Sequence, residues 1–170
     1  RRGGDNPGGG ARRGGPPWGA GAAPPGGQVE VTGVDWRALS TVTAVLTEAG
    51  CQIRSGAEGI LLNSTGELKG VRPIRTAPYP GFPTDAQPPL MGALVRGKGC
   101  TVFVENMFES RYRHVDELAR MGADIRVEGR VAVVYAMPRL HGARVMAADL
   151  RGGAALVVAA LAAEGRSEIG

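Results

Sequence analysis

The chain has 170 residues, enough for one domain with a hydrophobic core, and its 43% hydrophobic content is ordinary for a globular protein. The formal net charge of +4 lies mostly in residues 1–28, which hold four Arg and one Asp, so a nucleic-acid-binding domain is not indicated. The sequence has neither an apolar run long enough to span a membrane nor a signal-peptide pattern, and we expect a cytoplasmic protein without a membrane partner.

The first 28 residues form a segment rich in Gly and Pro. They include 11 Gly and five Pro, and Trp18 is their one large apolar side chain. Such a segment cannot bury enough surface to offset the entropy lost on ordering, so we expect disorder over residues 1–28. Its two RRGG sequences are similar to RNA-binding tails, which leaves an RNA-binding role open on the tail alone.

A globular segment is predicted from Val29 onward. The alternating sequence VEVTG predicts a strand, Asp35 is placed to cap the following helix, and Gly50 is placed to end it. The core face of this helix comprises Leu39, Val42, Leu46 and Ala49. After it come predicted strands CQIRS and GILLN, a connector TGELKG and a strand VRPIRT.

The predicted unit occurs twice. A shift of 72 positions aligns EAGCQIR with RMGADIR, so that Gly50 corresponds to Gly122. Later segments align at a shift of 66, which overlays GCTVF on GRSEI and sets Asp85 opposite Arg151. A β-α-β-β unit followed by a helix and then repeated indicates one supersecondary module used twice, with each helix packed against a sheet.

The cysteines and histidines show no metal-binding or redox pattern. Cys51 follows a predicted helix and Cys100 opens a predicted strand, so both are interpreted as small buried residues. His114 and His141 are not spaced as metal ligands relative to each other or to the cysteines. We therefore expect neither a metal nor a cofactor.

Three predicted helix starts carry polar clusters. In FPTDAQPPL, Pro88 and Pro89 fit only a first helical turn, so Asp85 is at or near an N-cap. Asp149 is likewise placed to cap a third helix, in AADLRGGAAL. Each carboxylate is interpreted either as a simple cap or as a group that accepts a proton from a substrate hydroxyl.

Two arginines lie where a helix dipole disfavours them. Arg111 comes just ahead of one helix and Arg151 falls in the first turn of another. An anion such as a phosphate or a carboxylate, bound at these helix starts, would explain both. The alternative is a surface ion pair, which Glu109 offers to Arg111.

These motifs together resemble a known family. RTAPYPGFPTDAQ, FESRYRHVDELARMGADIRVEG and LHGARVMAADLRGGAALVVAALAAEG are similar in order and spacing to the UDP-N-acetylglucosamine 1-carboxyvinyltransferases, enolpyruvyl transferases that begin peptidoglycan synthesis. The resemblance runs from about Val29 to Gly170 and implies an inside-out α/β barrel of βαβαββ repeats, here incomplete. It also implies transfer of the enolpyruvyl group from phosphoenolpyruvate to the 3-hydroxyl of the sugar nucleotide.

The resemblance implies roles for five residues. Asp85 would be the general base on that hydroxyl, Met107 would contact the sugar nucleotide and Arg111 would face phosphoenolpyruvate. Asp149 and Arg151 would help to hold the closed site.

The chain departs from the family pattern at several points. Ser110 stands where Asn is usual, and two glycines stand where Ala and Ser are usual after Arg151. The family's N-terminal Lys-Asn pair, its loop with the proton-donor Cys and its later Arg have no counterpart. We therefore expect a fragment whose partner is the missing half of the enzyme, inactive or only weakly nucleotide-binding alone; the alternative is a non-catalytic, anion-binding module.

Overall fold

The computed structural model of the chain describes residues 27–32, 39–56, 59–64 and 67–170. Of the segment predicted to be disordered, 1–28, residues 1–26 lie outside the described residues, as do the RRGG sequences and the Asp35 cap. The prediction is wrong at Gln28, which begins a strand. The described strands are β1 (Gln28–Thr32), β2 (Cys51–Ser55), β3 (Gly59–Ser64), β4 (Ile74–Arg75), β5 (Cys100–Val104), β6 (Asp124–Glu128), β7 (Val131–Tyr135), β8 (Arg144–Val145) and β9 (Glu168–Ile169). The described helices are α1 (Ser40–Ala49), α2 (Gln87–Leu94), α3 (Val115–Arg120) and α4 (Leu150–Ala162), and a 3-10 turn spans Thr84–Ala86.

The repeat predicted at a shift of 72 is present in the structure. Strands β1, β3 and β2 form an antiparallel sheet in that order, and β5, β7 and β6 are paired in the same order. Leu46 and Leu118 are both fully buried on the helices that connect these strands. Gly50 and Gly122 end those helices with φ of 113° and 95°, a left-handed conformation that favours glycine.

The repeat continues through the second part of each unit. Strand β4 pairs in parallel with β5, and β8 pairs in parallel with β9. Isolated bridges join Lys69 to Lys98 and His141 to Glu164, which are equivalent pairs when the shift changes from 72 to 66. The repeated units of helices and mixed sheets agree with the expected α/β fold of repeats, and among the described residues the sheets do not close into a barrel.

Helices α2 and α4 pack directly on one another and form the centre of the core. All eight residues of α2 are buried, including the first-turn prolines Pro88 and Pro89. A Cβ atom on Gly92 would lie 2.4 Å from the carbonyl oxygen of Ala155 on α4, closer than real Cβ atoms approach a backbone. The absence of a side chain at Gly92 therefore sets the distance between these helices.

The structure corrects two predictions made along the strands. Cys51 is buried as expected, and burial raises its thiol pKa to about 11. Cys100 is exposed, because it begins β5 on the side of the strand opposite the buried Thr101 and Phe103. The strand predicted over VRPIRT is only two residues long, since just Ile74 and Arg75 pair with β5.

Within the described part of the chain, no helix combines the length and apolar character that a membrane crossing would require.

His114 lies at the junction of α2, α3 and α4. It is 3% exposed, its Nε2 is 3.3 Å from the sulfur of Met91 on α2, and its Cβ is near Gly152 on α4. Burial lowers the pKa of His114 to about 4, and the neighbouring Asp149 carboxylate opposes that shift. The imidazole is therefore neutral at pH 7 and serves as a packing group between the helices.

Substitution of Gly92 by Ala tests the helix contact. We expect the free energy of unfolding to fall by about 2 kcal/mol, because steric strain against the Ala155 carbonyl exceeds the gain in helix propensity. Urea denaturation measures the change. Gly56→Ala is the control, since a Cβ there meets no atom within 4 Å and stability should stay within about 0.5 kcal/mol. Equal stability of the two variants would contradict this account.

The acid sensitivity of the fold tests the burial of His114. The unfolded chain binds a proton near pH 6.5, whereas folded His114 binds one near pH 4, so stability present above pH 6.5 is lost as the pH falls to about 4. This group contributes up to about 3 kcal/mol of that loss. His114→Phe should flatten the dependence, measured by urea denaturation across this range. The exposed His141 provides the control, as His141→Gln should keep the wild-type slope.

Candidate active site at two helix starts

The starts of α2 and α4 meet through one charged contact. The Nε–H of Arg151, in the first turn of α4, donates a short hydrogen bond to Oδ1 of Asp85. The two side chains are 42% and 62% exposed, and the residues are 66 positions apart, which is the shift of the second repeat. The repeat therefore brings together two residues that sequence comparison had placed at equivalent positions.

Asp85 lies next to the N-cap of α2, as predicted, but its side chain does not cap the helix. It lies inside the 3-10 turn, whose N-cap is Pro83, and the N-cap of α2 is Ala86. Neither position has a side-chain cap hydrogen bond. The inserted turn moves the carboxylate away from the free N–H groups of α2, so the side chain is directed to Arg151 instead. No donor of the described residues reaches its Oδ2.

Asp149 caps α4 as predicted. Its Oδ1 accepts a hydrogen bond from Gly152 N at 2.6 Å, and its backbone is extended, which is the usual arrangement at an N-cap. A Cβ on Gly152 would lie 3.2 Å from that oxygen and from Cβ of His114. Gly152, one of the two glycines that depart from the family pattern, therefore permits a tight first turn, which holds Arg151 in place.

The loop before α3 presents Met107 and Arg111. Met107 is 38% exposed, and the Arg111 guanidinium lies 4.4 Å from the centre of the exposed Phe108 ring, a cation–π contact. The ion pair with Glu109 does not form, and no other described carboxylate lies within ion-pair distance of Arg111. Ser110 adopts φ of 56°, a conformation that Asn tolerates better than Ser.

Arg111 opens onto a cleft of about 550 Å³ between this loop and the β6–β7 hairpin. The lining residues include Glu105, Phe108, Glu109, Tyr112, Arg113 and Arg130. The structure groups Asp85, Asp149 and Arg151 at the helix starts and holds Arg111 on a separate loop, where its described contact is with Phe108.

Tyr112 connects this loop to the start of α2. Its hydroxyl donates to the carbonyl of Arg130 at 2.8 Å and accepts from Nε2 of Gln87 at 3.3 Å. Burial raises the pKa of Tyr112 to about 12, so the hydroxyl remains protonated and able to donate. Gln87 is fully buried, and its Oε1 has no hydrogen-bond partner among the described residues.

Glu105 bonds to residues next to the candidate site, and its burial was not predicted from the sequence. It follows β5, is 2% exposed, and accepts hydrogen bonds from Thr76 and Thr84 hydroxyls at 2.8 and 2.9 Å. It also accepts from the backbone N–H of Met107 at 2.9 Å and of Phe108 at 3.3 Å. A glutamate after a strand is usually exposed, so no local pattern in the sequence indicates its burial.

Comparison with known proteins relates this chain to carboxyvinyltransferases. It is 46% identical over 144 residues to the UDP-N-acetylglucosamine 1-carboxyvinyltransferase of Clostridium botulinum, covering 85% of this chain and 34% of that protein. It is 49% identical over 144 residues to UDP-N-acetylglucosamine 1-carboxyvinyltransferase 2 of Clostridium acetobutylicum, with the same coverage. The chain thus spans about a third of the length of the curated relatives it matches.

Structural comparison gives the same relationship. The enolpyruvyl transferase NikO from Streptomyces tendae superimposes with a TM-score of 0.77 at 26% identity, over 89% of this chain and 36% of that one. The family model described as EPSP synthase (3-phosphoshikimate 1-carboxyvinyltransferase) matches residues 15–170, starting within the predicted disordered segment. Since this match covers most of the chain, the chain belongs to the EPSP synthase (3-phosphoshikimate 1-carboxyvinyltransferase) family.

Proposed function

We propose that this chain forms one side of the active site of an enzyme that transfers the enolpyruvyl group of phosphoenolpyruvate to the 3-hydroxyl of UDP-N-acetylglucosamine, the first committed step of peptidoglycan synthesis. The names of the relatives at 46% and 49% identity support UDP-N-acetylglucosamine as the acceptor and the transfer of a carboxyvinyl group. The observation that carries the proposal is the contact between Asp85 and Arg151, which presents an exposed carboxylate beside a cation at two meeting helix starts.

Asp85 acts as the general base. Arg151 orients Oδ1 by a charge-assisted hydrogen bond, and Oδ2 remains free to accept the proton of the sugar 3-hydroxyl. The hydroxyl oxygen then bonds to C2 of phosphoenolpyruvate, while a donor elsewhere in the enzyme protonates C3. Phosphate then leaves C2 while a base elsewhere in the enzyme removes a proton from the C3 methyl group, which restores the double bond and gives the enolpyruvyl ether. Cys51 does not supply that proton, because it is buried within the core.

The cationic residues bind the anionic groups of the substrates. The terminal nitrogens of Arg151 have no partner among the described residues, and Arg111 has no described acidic partner, so both retain N–H donors for phosphate or carboxylate. Met107 offers an exposed thioether to the sugar nucleotide, and Asp149 holds the turn that carries Arg151. The rest of the enzyme, as the partner of this chain, supplies the opposite wall, and the reaction takes place in the cytoplasm.

Titration with UDP-N-acetylglucosamine, followed by backbone amide shifts in NMR spectra, tests the substrate site. We expect weak binding by the wild type and a loss of affinity of about tenfold or more in Asp85→Ala, because a hydrogen bond from the sugar hydroxyl to a carboxylate is removed. Asp116→Ala is the matched control, since Asp116 is an exposed carboxylate in the first turn of α3 and should leave the affinity unchanged. Absence of shifts with the wild type would contradict substrate binding by this chain.

A second measurement separates the transferase from a non-catalytic binding module. The chain is supplied with the remaining portion of the Clostridium botulinum relative, and phosphate release from phosphoenolpyruvate is followed with the sugar nucleotide present. We expect turnover that falls by about 100-fold or more in Asp85→Asn, as for loss of a general base. Substrate binding without phosphate release from a folded, reconstituted complex would favour the binding module.

A further inference from the structure

Glu105 is a buried carboxylate without a described cationic partner. It is 2% exposed, and glutamate is rarely buried to this extent unless it is paired, because an unsatisfied charge in the interior is costly. Four donors reach its two oxygens: Thr76 Oγ1, Met107 N and Phe108 N at Oε1, and Thr84 Oγ1 at Oε2. The hydrogen bonds of this carboxylate therefore reach three segments of the chain, which are the stretch just after β4, the 3-10 turn and the loop after β5.

Two of those segments carry the proposed substrate contacts. Thr84 directly precedes Asp85 in the 3-10 turn, and Met107 is the residue proposed to touch the sugar nucleotide. Thr76 extends the network, because its hydroxyl also accepts from Asn106 N at 2.8 Å. Among the described residues, no hydrogen bond joins residues 83–86 directly to residues 106–108. Glu105 is thus the residue that bonds directly to both the turn and the loop.

We propose that Glu105 is a positioning residue that sets the Asp85 turn relative to the Met107 loop, without contacting substrate itself. The inference rests on the proposed function and adds a residue to it. Its physical basis is geometric: one rigidly held carboxylate bonds a hydroxyl on one segment and two backbone N–H groups on the other. A displacement of either segment would move the free oxygen of Asp85 away from a bound sugar hydroxyl.

Substitution of Glu105 by Gln separates its role as a hydrogen-bond acceptor from the effect of its negative charge. In Glu105→Gln, the amide oxygen can keep the three bonds made by Oε1, and the NH₂ group can donate to the Thr84 hydroxyl, which is able to reverse its role. Gln should therefore preserve the link. Ala removes it entirely, and Thr84→Val removes only the branch to the Asp85 turn.

The Nε–H resonance of Arg151 in NMR spectra reports the position of Asp85 without any ligand. We expect Glu105→Ala and Thr84→Val to shift this resonance toward its value in Asp85→Asn, while Glu105→Gln stays close to the wild type. Amide exchange at Met107 and Phe108 should accelerate by about 10- to 100-fold in Glu105→Ala and change little in Thr84→Val. The exposed Glu128 provides the control, as Glu128→Ala should alter neither signal.

Two results would overturn the inference. One is an unmoved Arg151 resonance in a folded Glu105→Ala variant, with faster exchange spread over the whole chain. The other is failure of Glu105→Gln to restore the wild-type signals. In the reconstituted enzyme, Thr84→Val should lower kcat at least tenfold with little change in KM for phosphoenolpyruvate, whereas a purely stabilising role would leave both unchanged in folded protein. The NMR measurements on Arg151 and on the loop amides need no substrate. Failure of UDP-N-acetylglucosamine binding would therefore reject the proposed function, while the NMR measurements would still test the role of Glu105.

Discussion

The close approach of α2 and α4 is the constraint on which the rest of this structure depends. Gly92 permits it, since any side chain there would collide with the backbone of Ala155. The two helices begin at equivalent points of two successive repeats, so their packing also aligns their starts. Asp85 and Arg151 meet for this reason. The close helix packing that Gly92 allows in the core thereby determines the geometry of a charged pair at the surface.

Hydrogen-bonded carboxylates hold the exposed charged groups of the site in place. Asp149 closes the first turn of α4 and so orients Arg151, while Glu105 joins the turn before Asp85 to the loop that carries Met107. The Glu105 carboxylate accepts four hydrogen bonds and the Asp149 carboxylate accepts one from Gly152 N, whereas Asp85 and Arg151 remain partly open to solvent. Such an arrangement keeps reactive groups accessible without leaving their supporting segments free to move.

Much of the fold could be predicted from the sequence because each copy of the repeat contains the same local patterns of apolar and glycine residues. Apolar periodicity and helix-ending glycines identified the two units, and the cap at Asp149 followed from the residue type before a helical run. The misses also have physical causes. Cys100 is exposed because the face that a strand-opening residue presents depends on register. Asp85 lies near the N-cap of α2, as predicted, and a 3-10 turn keeps it from capping that helix.

The sequence by itself determined that the chain repeats a β-α-β-β-α module, that Asp149 caps α4, and which motifs it shares with the enolpyruvyl transferases. Only the tertiary structure decided that Asp85 pairs with Arg151, that Arg111 stacks on Phe108 instead of pairing with Glu109, and that Glu105 is buried. Helix periodicity and helix capping depend on residues a few positions apart, so they can be predicted from the sequence alone. The contact between residues 85 and 151 crosses 66 positions and exists only because packed helices bring their starts together.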